Sequence, residues 1–172
     1  LGHQQCCWSY MSKEEVLFVA NKYRELGIPC DVLFLDIDYM EKYKVFTWNQ
    51  DRFPTLENLL DELKEMGVKP ICIIDPGVKV EEGYNVYEEG IANDYYAKTP
   101  EGEVYVNEVW PGDAVYPDFG KPEVRKWWGK HHQFLLDKAI RGVWNDKNEP
   151  ASFRGPLPDD VVFTDEDRPA LH

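Results

Sequence analysis

The sequence predicts an α/β fold whose strands lie parallel in one sheet. Two observations carry that prediction. Stretches of helical period alternate with short apolar runs, and the run Val32-Leu33-Phe34-Leu35 is continuous rather than alternating, as suits a parallel strand buried on both faces. The returns to the sheet are short, which implies right-handed strand–helix–strand units.

In chain order, Gly2 to Trp8 read as a short first strand and its outgoing loop. Ser12 then caps a helix, and Glu15 three residues on completes a capping box. Val16, Leu17, Ala20, Tyr23 and Arg24 follow at helical spacing, and Leu26-Gly27 closes the element with a terminal glycine. Val32 to Leu35 is the second strand. Thr55 caps a second helix, on which Leu56, Leu59, Leu60, Leu63 and Met66 form one apolar stripe before Gly67. Val68 to Ile74 is a third strand, stopped by Asp75-Pro76-Gly77.

The rhythm then breaks. From Pro76 to Pro122 the chain is rich in Gly, Asn, Tyr and Trp, with two β-like stretches, Asp94 to Ala97 and Val104 to Val109. A loop this long in a compact domain is usually functional. Pro122 fits the first turn of a third long helix, with Val124, Trp127, Trp128, Phe134, Leu135 and Ile140 on its buried face. Gly142-Val143-Trp144 is a fourth strand. Beyond it Pro150, Gly155, Pro156 and Pro158 mark loop, and Val161 to His172 has the composition of a long insertion or of a chain cut before its next helix. Four strands and three helices fit either a small open α/β sheet or half of an eight-stranded (β/α)8 TIM barrel.

Composition narrows the function. A chain of 172 residues, 43% hydrophobic and 30% charged, is that of a soluble globular domain. No apolar run approaches the roughly 18–20 residues that span a bilayer, so no membrane partner is expected. No signal peptide is visible after Leu1. The net charge of −13, without a cluster of Lys and Arg, argues against nucleic acid and suits a neutral small molecule. Six Trp and ten Tyr could stack sugars, although aromatic side chains also build cores. Cys6, Cys7, Cys30 and Cys72 show no metal spacing and read as free thiols, small hydrophobes of a cytoplasmic protein. His131-His132 falls mid-helix on what should be a solvent-facing edge, with no partner at metal spacing. Glu81-Glu82 and Glu88-Glu89 read as solvated.

The acids fall in a telling place. Asp36 and Asp38 follow the second strand, Asp75 ends the third, and Asp146 ends the fourth. Each taken alone fits a cap on the next loop or helix. Three successive parallel strands delivering an acid to one rim fits an active site at the carboxyl ends of barrel strands. Carboxylates beside Trp8, Trp110 and Trp144 suit glycoside chemistry, because anions bind a cationic, oxocarbenium-like transition state better than a neutral sugar.

Four blocks, in order, carry a resemblance. The stretch Gly142-Val143-Trp144-Asn145-Asp146-Lys147-Asn148-Glu149-Pro150 resembles the nucleophile signature of glycoside hydrolase family 31, the α-glucosidases and their relatives. His3 to Tyr10 looks like the end of that family's first strand, and Asp31 to Met40 is similar to its second. Val109-Trp110-Pro111-Gly112 with Tyr116-Pro117-Asp118-Phe119 matches its third loop. The resemblance implies that residues 1–172 are the N-terminal half of the catalytic barrel, about its first four β/α units, with a long substrate-side loop at about 76–121.

Residue by residue, it implies Asp146 as the nucleophile and Asp36 as the anchor of sugar hydroxyls. Asp38 and Asp75 would line the same pocket, with Trp8, Ile73, Trp110 and Trp144 as walls. Lys147 would touch the sugar subsite, and Glu149 would support Asp146 or serve structure alone. No metal or organic cofactor is implied. Two positions depart from the family pattern: Lys147 stands where Met is usual, and Cys7 where Arg is usual. A cation beside Asp146 favours its ionised form.

The resemblance places the acid/base carboxyl downstream of the nucleophile, beyond this sequence. Asp159, Asp160, Asp165, Glu166 and Asp167 read as solvated loop charges. The implied activity is hydrolysis of terminal α-linked glucose from a glucoside or oligosaccharide. An α-xylosidase is the nearest enzymatic alternative, and a catalytically inactive sugar-binding or scaffold fragment is the alternative of another class. Half a barrel leaves sheet edges and an inner face uncovered, so the isolated chain is expected to self-associate or to pair with the remaining half. A flavodoxin-like binding domain would need a glycine turn for phosphate after the first strand, and Gln4-Gln5-Cys6-Cys7 offers none.

Overall fold

The computed structural model describes residues 2–165 and, for the backbone, Arg168–Leu171. In chain order the elements are β1 (Gln4–Gln5), α1 (Lys13–Glu25), β2 (Val32–Leu35), α2 (Leu56–Glu65), β3 (Lys69–Ile74), β4 (Val78–Lys79), α3 (Asn85–Ala92), β5 (Val106–Val109), β6 (Gly112–Val115), α4 (Pro122–His131), α5 (Gln133–Leu136), β7 (Gly142–Asn145), β8 (Val162–Asp165) and β9 (Arg168–Leu171). Two 3₁₀ turns, Ile37–Tyr39 and Glu41–Tyr43, follow β2. The chain divides into two compact units: Leu1–Ile74 with His132–Asn145, and Asp75–His131 with Asp146–His172.

The first unit is built on a four-stranded sheet in the order β1-β2-β3-β7, parallel throughout. Leu33, Leu35, Cys72 and Ile74 share one face by register and are fully buried. Val32, Phe34, Ile71 and Trp144 share the other face with Ile73 and are half-buried. The continuous apolar run therefore corrects to an alternation in this chain: one face is sealed and the other only partly covered. Two helices of the unit carry buried apolar faces. Val16 and Ala20 of α1, and Leu56, Leu59, Leu60 and Leu63 of α2, are buried.

The helix ends follow from local chemistry. The Glu15 backbone N–H donates to Ser12 Oγ at 3.4 Å, as a capping box requires. The Glu15 carboxylate takes the N–H of Met11 at 2.7 Å, one residue before the cap. At the other end Ile28 donates to the Tyr23 carbonyl and Gly27 to Arg24, the two bonds of a Schellman stop, with Gly27 at φ +66°. The same pair of bonds closes α2 at Gly67 and Val68. Thr55 stands at the start of α2 but gives no side-chain cap bond. Within Gly2 to Trp8 the strand is Gln4 and Gln5, which pair with β2.

The second unit corrects the reading of residues 76–121 as a loop. It holds a three-stranded antiparallel sheet, β4-β6-β5, and the helix α3. Asp94 to Ala97 supplies only an isolated bridge, Tyr96 to Pro117. Ala97, Tyr116 and Val161 form a buried cluster with Tyr105 and Phe163 against it. The tail carries a β-hairpin, with β8 and β9 paired antiparallel.

The long helix after Pro122 is two pieces, α4 and α5, with Leu135 N–H bonded to His132 O three residues back. The histidines at this break are not solvent-facing. His131 Nε2 lies 3.1 Å from Glu89 Oε2, and the His132 ring meets Phe46 at 5.0 Å. Glu89, read as solvated, also accepts from Trp127 Nε1 at 2.9 Å.

Candidate active site

In the first unit the sheet order sets the geometry. β1, β2, β3 and β7 are neighbours and parallel, so their carboxyl ends lie along one edge. Asp36 is the residue after Leu35; in the sequence, Asp75 comes directly after Ile74 and Asp146 directly after Asn145.

Asp36 is partly buried and caps the turn Ile37–Tyr39, with its Oδ1 accepting from the Ile37 N–H at 2.7 Å. Burial raises the pKa of the Cys6 thiol, and the Asp36 carboxylate adds to that rise, which puts this acid's field on the loop leaving β1. Asp38, only 5% exposed, is ion-paired to Arg52 and receives the Tyr43 hydroxyl at 3.4 Å. Neither Arg52 nor Tyr43 was marked by the sequence as a site residue. The available signal was that a buried carboxylate needs a cation, and Arg52 is the one arginine between β2 and β3.

Among the expected walls of this unit, Trp8 is 74% exposed. Trp144 is half-buried and meets Phe34 edge-on at 5.9 Å. Ile73 is 2% exposed, so as described it turns almost no side-chain surface outward; its carbonyl accepts from Tyr39 Oη at 2.7 Å.

In the second unit Asp146 is half-buried, and its Oδ2 accepts from Lys147 Nζ at 3.1 Å. The hydrogen bond to Asp146 raises the Lys147 pKa against a smaller opposing cost of burial, and the fields of Asp146, Asp75 and Glu149 add to it. The ammonium is thus hydrogen-bonded to Asp146 and lies in the field of two further carboxylates of this unit. Lys147 also sits at φ +58°, a left-handed backbone that a non-glycine residue adopts only where its surroundings enforce it. Asp75 is buried, whereas Glu149 is exposed. Trp110 is partly exposed and packs edge-on against Phe153 at 5.0 Å.

The segment after Asp146 is tied down within its unit. Tyr116 Oη donates to the Ala151 carbonyl at 2.6 Å, and burial pushes that phenol up to about 12, so it remains a donor at neutral pH. Phe153 N–H donates to Glu108 O at 2.8 Å, and Arg154 bonds both Glu108 and Asp113. Asp159, Asp160 and Asp165 are exposed, with Asp165 on strand β8 rather than in a loop. Glu166 and Asp167 lie outside the described residues.

Comparison with known proteins agrees with these elements. Residues 1–171 match the profile described as the Glycosyl hydrolases family 31 TIM-barrel domain. Alpha-glucosidase 2 of Bacillus thermoamyloliquefaciens is 49% identical over 153 residues, which cover 89% of this chain and 19% of that protein. Neutral alpha-glucosidase AB of Mus musculus is 40% identical over 159 residues, covering 91% of this chain and 17% of that protein. The crystal structure of the ER glucosidase II heterodimeric complex, a catalytic subunit with the binding domain of a regulatory subunit, superposes with a TM-score of 0.89 at 35% identity, over 95% of this chain and 18% of that one. The chain thus spans less than a fifth of the length of these relatives, and its four parallel strands are part of a barrel, not a closed one.

Proposed function

This chain belongs to glycoside hydrolase family 31, and we propose on that footing that the protein carrying it is a retaining α-glucosidase acting on terminal non-reducing α-linked glucose. One observation carries the reading. Strands β2, β3 and β7 lie side by side and parallel, and an aspartate follows each directly: Asp36, Asp75 and Asp146. Active sites of barrels are assembled at that end of the strands.

Asp146 attacks the anomeric carbon. Its oxygen bonds to C1 while the bond from C1 to the leaving oxygen breaks, and a second carboxyl group protonates that oxygen. The same group then deprotonates a water, which attacks C1 and frees Asp146 with retention of configuration. The family resemblance puts that second group downstream of Asp146, on a later part of the barrel. Lys147 Nζ, 3.1 Å from Asp146 Oδ2, holds the attacking carboxylate in place. Asp36 and Asp75 hold sugar hydroxyls, and the indoles of Trp8, Trp110 and Trp144 offer flat apolar faces to the ring. The glucosidase names of the relatives give an α-xylosidase no support.

The test is direct. The full-length protein containing this chain is expected to release nitrophenol from a nitrophenyl α-glucoside, and Asp146→Asn to lose at least ~10³-fold in kcat, as losses of a nucleophile do. The isolated 172-residue chain is expected to self-associate on gel filtration and to hydrolyse nothing at a useful rate. A full-length protein inactive on the glucoside, or an active Asp146→Asn variant, would overturn the proposal.

A further inference from the structure

Asp38 was expected to line the sugar pocket, but its surroundings give it different work. A carboxylate this deeply buried is costly unless it is paired and hydrogen-bonded. Arg52 and the Tyr43 hydroxyl meet that need, and Arg52 Nη1 also reaches the Asp38 carbonyl at 3.5 Å. Arg52 is itself fixed through its backbone. Its N–H donates to Asn49 Oδ1 at 3.1 Å, and its carbonyl accepts from the Lys13 N–H, at the start of α1, at 3.3 Å.

The ion pair closes a strained loop. Between Asp38 and Arg52, three residues other than glycine have left-handed backbone: Lys42 at φ +49°, Tyr43 at +59° and Phe46 at +60°. Such conformations persist only where contacts hold them. Other ties within the loop run from Asn49 N–H to Tyr39 O at 2.8 Å and from Glu41 N–H to Thr47 Oγ1 at 3.0 Å. Asp36 caps the same three-residue turn on which Asp38 sits, so whatever fixes Asp38 fixes the Asp36 carboxylate too.

We propose that Asp38 and Arg52 are positioning residues: their ion pair locks the turn Ile37–Tyr39 and so orients Asp36 toward sugar hydroxyls, while neither touches the sugar. This rests on the α-glucosidase reading above. Misplacement of a binding group by about 1 Å can cost on the order of 10²-fold. Because hydroxyl contacts act on bound substrate as well as on the transition state, the loss falls mainly on KM.

The experiment is steady-state kinetics on the full-length protein, with active sites titrated, comparing wild type, Asp36→Asn, Asp38→Asn, Arg52→Met, Arg52→Lys and the double variant Asp38→Asn/Arg52→Met. Arg52→Met is expected to raise KM about tenfold or more with a smaller change in kcat. Arg52→Lys, which keeps the cation, is expected to fall between it and wild type. The double variant is expected to be no worse than the poorer single one, since both remove the same pair. If Arg52→Met fails to fold, the Arg52→Lys intermediate decides alone.

An unchanged KM in the arginine variants, or additive losses in the double variant, would overturn the proposal. A purely structural role would lower the titrated active fraction and leave KM as it was. If wild type hydrolyses the glucoside and Asp36→Asn is impaired while the arginine variants match wild type, this inference alone fails. If wild type is inactive on the glucoside, the glucosidase reading fails and takes this inference with it.

Discussion

Asp94 shows how single charges are tuned in the second unit. It lies at φ +59°, ion-paired to Lys98 and 3.5 Å from Lys121 Nζ. The hydrogen bond from Lys98 lowers its pKa, outweighing partial burial, and both lysines add to the effect. A carboxyl depressed on folding stabilises above its unfolded pKa of about 3.9, and that contribution is lost as pH falls through the lower folded value. Asp94→Asn keeps a residue tolerant of left-handed backbone and removes the charge. The variant should melt below wild type near pH 7, and the gap in Tm should close as pH falls below the ordinary aspartate range. A gap independent of pH would show that charge is not the cause. At this scale Asp36 and Asp75 were legible because they follow apolar runs directly, and Asp146 because it ends the short strand Gly142-Val143-Trp144-Asn145. Arg52 was not, because its partner Asp38 is fourteen residues away and only the folded loop brings them together.

Elements with chemical punctuation were legible in sequence, and those without it were not. α1 and α2 end where glycine takes the left-handed position, and β2 matches its apolar run residue for residue. α3 was hidden because Tyr84 precedes it without a side-chain cap bond and Gly90 lies within it. Gly90 is there for space: an added Cβ would lie 2.2 Å from Cζ of Tyr96, whose hydroxyl donates to the Val86 carbonyl at 2.8 Å. Helix propensity alone predicts that Gly90→Ala stabilises by roughly 0.5–1 kcal/mol. Overpacking against a buried ring costs typically about 1–3 kcal/mol. Gly90→Ala should therefore lower stability in urea unfolding, and a more stable variant would mean that the ring can step aside without cost. Of the small sheet β4-β6-β5, only β5 was legible, as the β-like stretch Val104 to Val109, and β4 and β6 were hidden for a related reason. The close approach at Gly77, where a Cβ would meet Val109 at 2.5 Å, depends on residues far apart in the chain.

For the whole molecule, the alternation of strand and helix was enough to predict a parallel sheet, and the family's four ordered motifs selected a barrel over an open sheet. The expectation that both strand faces are buried does not hold for this chain by itself. One face of β2 and β3 is sealed and the other is half-covered, in a chain spanning 17–19% of its relatives' length. Catalysis by the proposed route turns on Asp146 as the group that bonds to the sugar. The most direct measurement is to trap the full-length protein with an activated fluoroglucoside and locate the adduct by peptide mass spectrometry. The expected result is a fluoroglucosyl group on Asp146. A label on any other residue would contradict that assignment.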